Sequence, residues 1–227
     1  MTPKPPPLLL LSGMGADERV FAAQLQDLPQ LMVPKWITPE AGESIARYAD
    51  RLAVHINPGA PCFIGGASFG GFVALELVRH LDVLGCFLIG SARAPEDFPP
   101  SFRALRKMAG ITGIVPFELA NLLSKAALLS GGGLLNQHAA ALLSQMADTD
   151  AAFLRWACRA VLEWDGPGET GRVPIFQIHG AQDRVLPASR ATAAEIVPDA
   201  GHALSLSHPQ AVTAFLVRNM DAILPHH

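Results

Sequence analysis

The chain has 227 residues, of which 50% are hydrophobic and 16% charged, with 20 glycines, 19 prolines and a formal net charge of −3. That length accommodates one large α/β domain, or a core domain with an inserted subdomain, and the composition excludes a disordered chain. A slightly acidic balance, with no Lys/Arg cluster interleaved with aromatics, offers no field for a phosphate backbone, so nucleic acid is not an expected partner.

The first residues, Met1-Thr2-Pro3-Lys4-Pro5-Pro6-Pro7, run into an apolar stretch too short for a signal peptide or a membrane span, so a soluble cytoplasmic protein is expected. Leu8-Leu9-Leu10-Leu11-Ser12 is a continuous apolar run between prolines and Gly13-Met14-Gly15, the pattern of a strand buried on both faces of a parallel sheet. A helix should come next, capped by Asp17, with Phe21, Leu25 and Leu28 inside and Pro29 as its stop. Leu31 to Trp36 is a second, weaker strand. Ser44 then opens a helix with Ile45, Tyr48, Ala49, Leu52 and Ile56 on one face, closed by Asn57-Pro58-Gly59.

Cys62 to Gly71 reads as strand, sharp turn and helix. Its apolar run ends in glycines flanking one serine, and Val73, Ala74, Leu77, Val78 and Leu81 then recur at helical spacing. Gly66, Ser68 and Gly70 fill the G-x-S-x-G spacing of a nucleophile elbow, where small neighbours let a serine occupy a strained turn above a sheet edge. The plainer alternative is a glycine turn capped by serine. Gly85 to Gly90 is a further buried strand, so strand and helix alternate, as in a parallel sheet with right-handed crossovers.

From Arg93 to about Asp165 the pattern becomes helical throughout: Phe102 to Met108, Phe117 to Leu129, Leu134 to Met146 and Asp150 to Trp164, with Gly131-Gly132-Gly133 as a joint. The last is the clearest, with Phe153, Trp156, Ala157, Ala160, Val161 and Trp164 on one face. We expect residues 93–165 to form a helical cap over the sheet edge, inserted into a core domain of residues 1–92 and 166–227. The alternative is that these helices pack on each other or on a partner subunit. Strands resume at Val173 to Gly180 and Ala193 to Val197, and His208-Pro209 starts a terminal helix with Val212, Phe215, Leu216, Met220 and Ile223 inside.

A serine hydroxyl is a poor nucleophile at neutral pH. It needs an imidazole to take its proton and a carboxylate to fix the tautomer of that imidazole. Asp183 follows the strand ending at Gly180 and His202 follows the strand ending near Val197, so both lie on the sheet edge that carries Ser68. Of the eight histidines, His55 and His80 fall near helix ends and are expected to face solvent. His138 falls in the cap, His179 reads as hydrogen-bonded structure and His208 as a helix start; with the terminal His226-His227 set aside, this leaves His202 with the right order and position. Cys62, Cys86 and Cys158 stand in separate apolar segments without a C-x-x-C pair, so buried free thiols are expected and neither a disulfide framework nor a metal site is.

Gly66-Ala67-Ser68-Phe69-Gly70-Gly71, His179-Gly180-Ala181-Gln182-Asp183-Arg184-Val185-Leu186-Pro187 and Ala200-Gly201-His202 together resemble the α/β-hydrolase superfamily, and within it the small capped serine hydrolases. The similarity spans nearly the whole chain. It implies a mostly parallel sheet of about six strands flanked by helices, fewer than is usual because the chain begins at the strand before the oxyanion loop. It also implies Ser68 as nucleophile, His202 as general base and then acid, and Asp183 as the orienting carboxylate, with Asp97 as the fallback acid because the segment from Asp183 to His202 is short. The oxyanion hole would use the backbone N–H groups of Phe69 and Met14. Ser12 stands where family members often carry a histidine.

The expected activity is hydrolysis of a carboxylic ester or thioester of a small to medium, largely apolar substrate through an acyl-serine intermediate, with no metal or organic cofactor. Other uses of the same triad are cleavage of a C–C bond beside a carbonyl, amide hydrolysis, or acyl transfer. From a different class, the chain could bind a ligand in a hydrolase pocket without turnover. A hydrophobic cap surface permits a homodimer.

Overall fold

Successive residues of a strand point to opposite faces of a sheet, and the leucine run divides accordingly. In the computed structural model, which describes residues 5–102, 104–105, 135–191 and 194–224, Leu8 and Leu10 pack on one side of strand β1 (Leu8–Leu11) and Leu9 and Leu11 on the other, all fully buried. The same division continues through β3 (Cys62–Ala67) and β4 (Val83–Ile89): Cys62, Ile64, Cys86 and Leu88 face one way, and Phe63, Phe87 and Ile89 the other. A continuous apolar run is what a strand covered on both faces requires.

With β2 (Leu31–Met32), β5 (Ile175–Gly180) and β6 (Glu195–Val197), these strands form one six-stranded sheet in the order β2-β1-β3-β4-β5-β6, with every neighbouring pair parallel. The chain first builds outward from β1 to β2 and then crosses to β3 on the other side. The crevice between β1 and β3 at their C-terminal ends is therefore a topological switch point, where open parallel sheets place ligands.

One face is covered by α1 (Ala22–Asp27) and α7 (Pro209–Ile223), the other by α2 (Ile45–Ile56), α3 (Phe69–Leu77) and α5 (Ala151–Glu163), while α4 (Leu135–Asp148) and the short α6 (Leu204–Ser207) lie near the C-terminal edge. Ser44 and Asp150 cap α2 and α5, their side chains accepting from Arg47 N–H at 3.3 Å and Ala152 N–H at 2.7 Å. The stripe of α5 joins the core cluster around α2 and α3. Phe153 and Trp156 pack against Trp36, Tyr48 and Phe69 with ring centroids 4.4 to 6.5 Å apart. Two indoles tie this segment down: Trp156 Nε1 donates to the Glu43 carbonyl and Trp164 Nε1 to Glu76 Oε1, each at 2.8 Å.

Several sequence expectations are corrected. The second strand covers Leu31–Met32 rather than continuing to Trp36, because Pro34 has no N–H for the ladder. Leu25 is exposed, while Gln24 is buried and donates to the Pro209 carbonyl at 3.0 Å. The first turn after β1 is a 3-10 helix, Glu18–Phe21, whose tighter winding rotates the phase of α1. All of Phe69–Leu77 is buried rather than one stripe, Glu76 included, since α3 lies between the sheet and its neighbours. The Glu76 charge is met by Arg79 at 2.6 Å. His80 is half-buried, with Nδ1 3.4 Å from Asp50. The expected helix over residues 117–129 lies outside the described residues.

The three cysteines are free and buried. Burial pushes the Cys62 and Cys158 thiols up to about 11 and Cys86 to about 12. Among the described residues, no helix is long and apolar enough to cross a membrane.

Candidate active site

The turn after β3 holds one residue in strained backbone. Ser68 has φ 51° and ψ −116°, the one non-glycine residue at positive φ among those described. Such backbone is costly and persists where the surroundings enforce it. A Cβ on Gly66 would collide with the backbone of Gly70, and one on Gly70 would collide with the Leu11 and Ser12 carbonyl oxygens. Glycine at both positions lets α3 start directly over the ends of β1 and β3. Ser68 N–H donates to the Ile89 carbonyl at 3.0 Å, and the Ser68 carbonyl accepts from Gly71 N–H at 3.0 Å and Ser91 Oγ at 2.7 Å.

The loops after β5 and β6 bring Asp183 and His202 to this serine. His202 Nε2 lies 2.9 Å from Ser68 Oγ, and His202 Nδ1 lies 2.8 Å from Asp183 Oδ2. The Asp183 carboxylate is fully buried, and its other oxygen accepts from Val185 N–H at 2.8 Å and Leu186 N–H at 2.9 Å. Because an ionised carboxylate only accepts, the proton of a neutral His202 sits on Nδ1, and Nε2 is left to accept from the serine hydroxyl. Asp97 stands elsewhere: its Oδ2 accepts from Arg93 N–H at 2.8 Å and Ala94 N–H at 3.3 Å, closing the turn after β4.

The loop after β1 lies beside the serine, since a Cβ on Gly13 would be 3.8 Å from Ser68 Cβ. Ala16 N–H donates to the Gly13 carbonyl at 3.1 Å, and Gly15 has φ +72°, which makes Gly13 to Ala16 a type II turn with Met14 second. The Met14 N–H is not used by the bond that closes this turn. The Phe69 N–H, at the first position of α3, likewise has no partner within its helix. Ser12 Oγ donates to the Ala16 carbonyl at 2.7 Å and braces the turn from inside.

Sequence reasoning did not single out Ser91 and Gln177. Ser91 follows β4 with no motif around it, and its role depends on the fold bringing it under Ser68. Its carbonyl accepts from Gln177 Nε2 at 2.7 Å and His179 Nε2 at 2.9 Å. His179 Nδ1 is 3.9 Å from Asp183 Oδ2, too far for a hydrogen bond.

Burial holds the His179 pKa below the ordinary histidine range, with Asp183 opposing in part. The unfolded chain therefore binds this proton more readily than the folded one, so stability is present above about pH 6.5 and is lost as pH falls toward the depressed value. His179→Gln, which keeps a donor for Ser91, should show a shallower loss of urea midpoint between pH 7 and pH 5 than wild type. Equal slopes would exclude this account.

Among the described residues, no group of three or more His, Cys, Asp or Glu side chains is placed to hold a metal ion.

Residues 8–215 match a family model described as the alpha/beta hydrolase family. Similar solved structures include a thermophilic esterase from Thermogutta terrifontis, with TM-score 0.74, 19% identity and coverage of 98% of this chain and 92% of that one. An enol-lactonase from Burkholderia xenovorans gives a TM-score of 0.72 at 18% identity, with coverage of 95% and 91%. A putative non-heme bromoperoxidase from Mycobacterium tuberculosis gives 0.64 at 17% identity, with coverage of 98% and 94%. No curated protein is similar enough in sequence to match the chain.

Proposed function

The chain belongs to the alpha/beta hydrolase family, and from that premise we propose that it is a serine hydrolase cleaving a carboxylic ester or thioester of a small to medium, largely apolar substrate. The observation that carries the reading is the unbroken line from Ser68 Oγ through His202 to the buried Asp183, with contacts of 2.9 and 2.8 Å, at a serine held in strained backbone.

In this mechanism Ser68 Oγ attacks the substrate carbonyl while His202 Nε2 takes its proton. Asp183 keeps Nδ1 protonated and stabilises the imidazolium that forms. The tetrahedral oxyanion receives hydrogen bonds from the Phe69 and Met14 amides. Its collapse breaks the ester bond, and His202 returns the proton to the departing alcohol or thiol, leaving an acyl-serine. Water then attacks with His202 again as base, and the acid leaves as Ser68 regains its proton. A lactone is a cyclic ester and is opened by the same steps, with the alcohol remaining attached to the product.

The mostly apolar sequence of residues 93–165 supports a largely apolar substrate. Of the expected cap over residues 93–165, α5 packs in the core and α4 seats beside the Gly13 to Ala16 turn, with residues 106–134 outside those described; a cytoplasmic enzyme needing no cofactor is the simplest form of this reading. Fluorophosphonate labelling of the purified protein tests the reading. Wild type should be labelled stoichiometrically and should hydrolyse chromogenic esters, with both lost in Ser68→Ala. A folded wild type that neither labels nor turns over would reject it.

A further inference from the structure

The proposed oxyanion donor Met14 is flanked by two flexible residues, Gly13 and Gly15, in a turn held from inside by its closing bond and by Ser12. The surroundings add contacts from outside. Gln145, near the end of α4 and 2% exposed, accepts from the Asp17 N–H through Oε1 at 3.1 Å, across 128 positions of sequence. Arg19 next to it reaches Asp148 at 2.7 Å. A Cβ on Gly15 would lie 2.9 Å from Met146 Cγ and 3.4 Å from Leu154 Cδ2, so side chains of α4 and α5 fill the space over that glycine. Cys158 Sγ approaches Met14 Sδ at 3.4 Å.

Asp17 is the residue at which the turn passes into the 3-10 helix, and its side chain is already committed to the N–H of Arg19 at 3.0 Å. Its own N–H is part-buried and finds an acceptor across the chain in Gln145. Gln145 is a neutral acceptor long enough to reach it. A carboxylate at that position would stand near Asp17 and Asp148.

We propose that Gln145 is a positioning residue for the oxyanion hole: by fixing the Asp17 amide it sets the orientation of the Gly13 to Ala16 turn, and so ties the placement of the Met14 donor to the seating of α4. The inference rests on the serine-hydrolase reading above. It assigns Gln145 no contact with substrate and acts only through the backbone of the turn.

Gln145→Leu, which removes the acceptor at similar volume, should lower kcat on a chromogenic ester about 10- to 100-fold with KM changed less than about twofold, because misplaced oxyanion donors act on the transition state. Inhibition by an alkyl boronic acid, whose serine adduct is tetrahedral, should weaken by a similar factor. Gln145→Glu, which keeps an acceptor but sets a second carboxylate near Asp17 and Asp148, should recover only part of the loss. Gln145→Ala is the second variant if the leucine side chain prevents folding. An unchanged kcat, or a loss shared equally by KM, overturns the inference while leaving the serine reading intact. A wild type without fluorophosphonate labelling or turnover overturns both.

Discussion

Asp183→Asn should lower kcat about 10⁴-fold while leaving the protein folded. Asp183 performs two tasks with two oxygens. Oδ1 accepts the Val185 and Leu186 amides and shapes the loop, and Oδ2 accepts His202 Nδ1–H. An asparagine can keep its oxygen toward the two amides, which preserves the loop, but its NH₂ group then faces His202. An NH₂ group donates, so Nδ1 must accept and the imidazole proton moves to Nε2. The nitrogen facing Ser68 Oγ at 2.9 Å would carry a proton and could not receive another. Thermal midpoints within a few degrees of wild type, combined with the collapse of kcat on a chromogenic ester, are the expected result. If the variant retained a tenth or more of wild-type turnover, Asp183 would not be the orienting carboxylate, and Asp97→Asn would be the next substitution to measure.

The parts of this site that were legible in the sequence are those whose chemistry is local. Gly66, Ser68 and Gly70 can be read together because the elbow needs small residues at fixed offsets from its serine, and the apolar run before it identifies the strand that delivers it. Asp183 and His202 could be placed on the same edge because all parallel strands end on one side. What could not be read is what depends on distant segments meeting. Ser91 under the Ser68 carbonyl, Gln145 on the Asp17 amide and Trp164 on Glu76 join residues 23, 128 and 88 positions apart, and no periodicity records such pairs. The misread helix face has a local cause of a different kind. Leu25 and Gln24 exchanged places because a 3-10 turn precedes α1, and a count at 3.6 residues per turn does not anticipate it.

Gly70→Ala should be strongly damaging, although helix propensity alone favours it by about 1 kcal/mol at a helical position. The added Cβ would fall within contact of the Leu11 and Ser12 carbonyl oxygens, both of which are backbone and cannot rotate away. Relief requires α3 to lift from the end of β1. Overpacking of this kind costs about 3 kcal/mol, which for a chain of this size corresponds to a fall of about 6 to 12 °C in Tm. The same displacement carries Ser68 and Phe69 away from the turn that begins at Gly13, so kcat should fall about 100-fold in whatever fraction remains folded. Gly59→Ala separates collision from backbone preference. Gly59 has φ +69° and no atom within 4 Å of an added Cβ, so its cost should stop at about 1 kcal/mol with activity unchanged. Equal Tm losses for the two variants would mean that the close approach of α3 to β1 does not constrain the elbow. A large loss confined to Gly70→Ala would mean that the nucleophile and its oxyanion loop are held in register by a glycine with no room for even one methyl group.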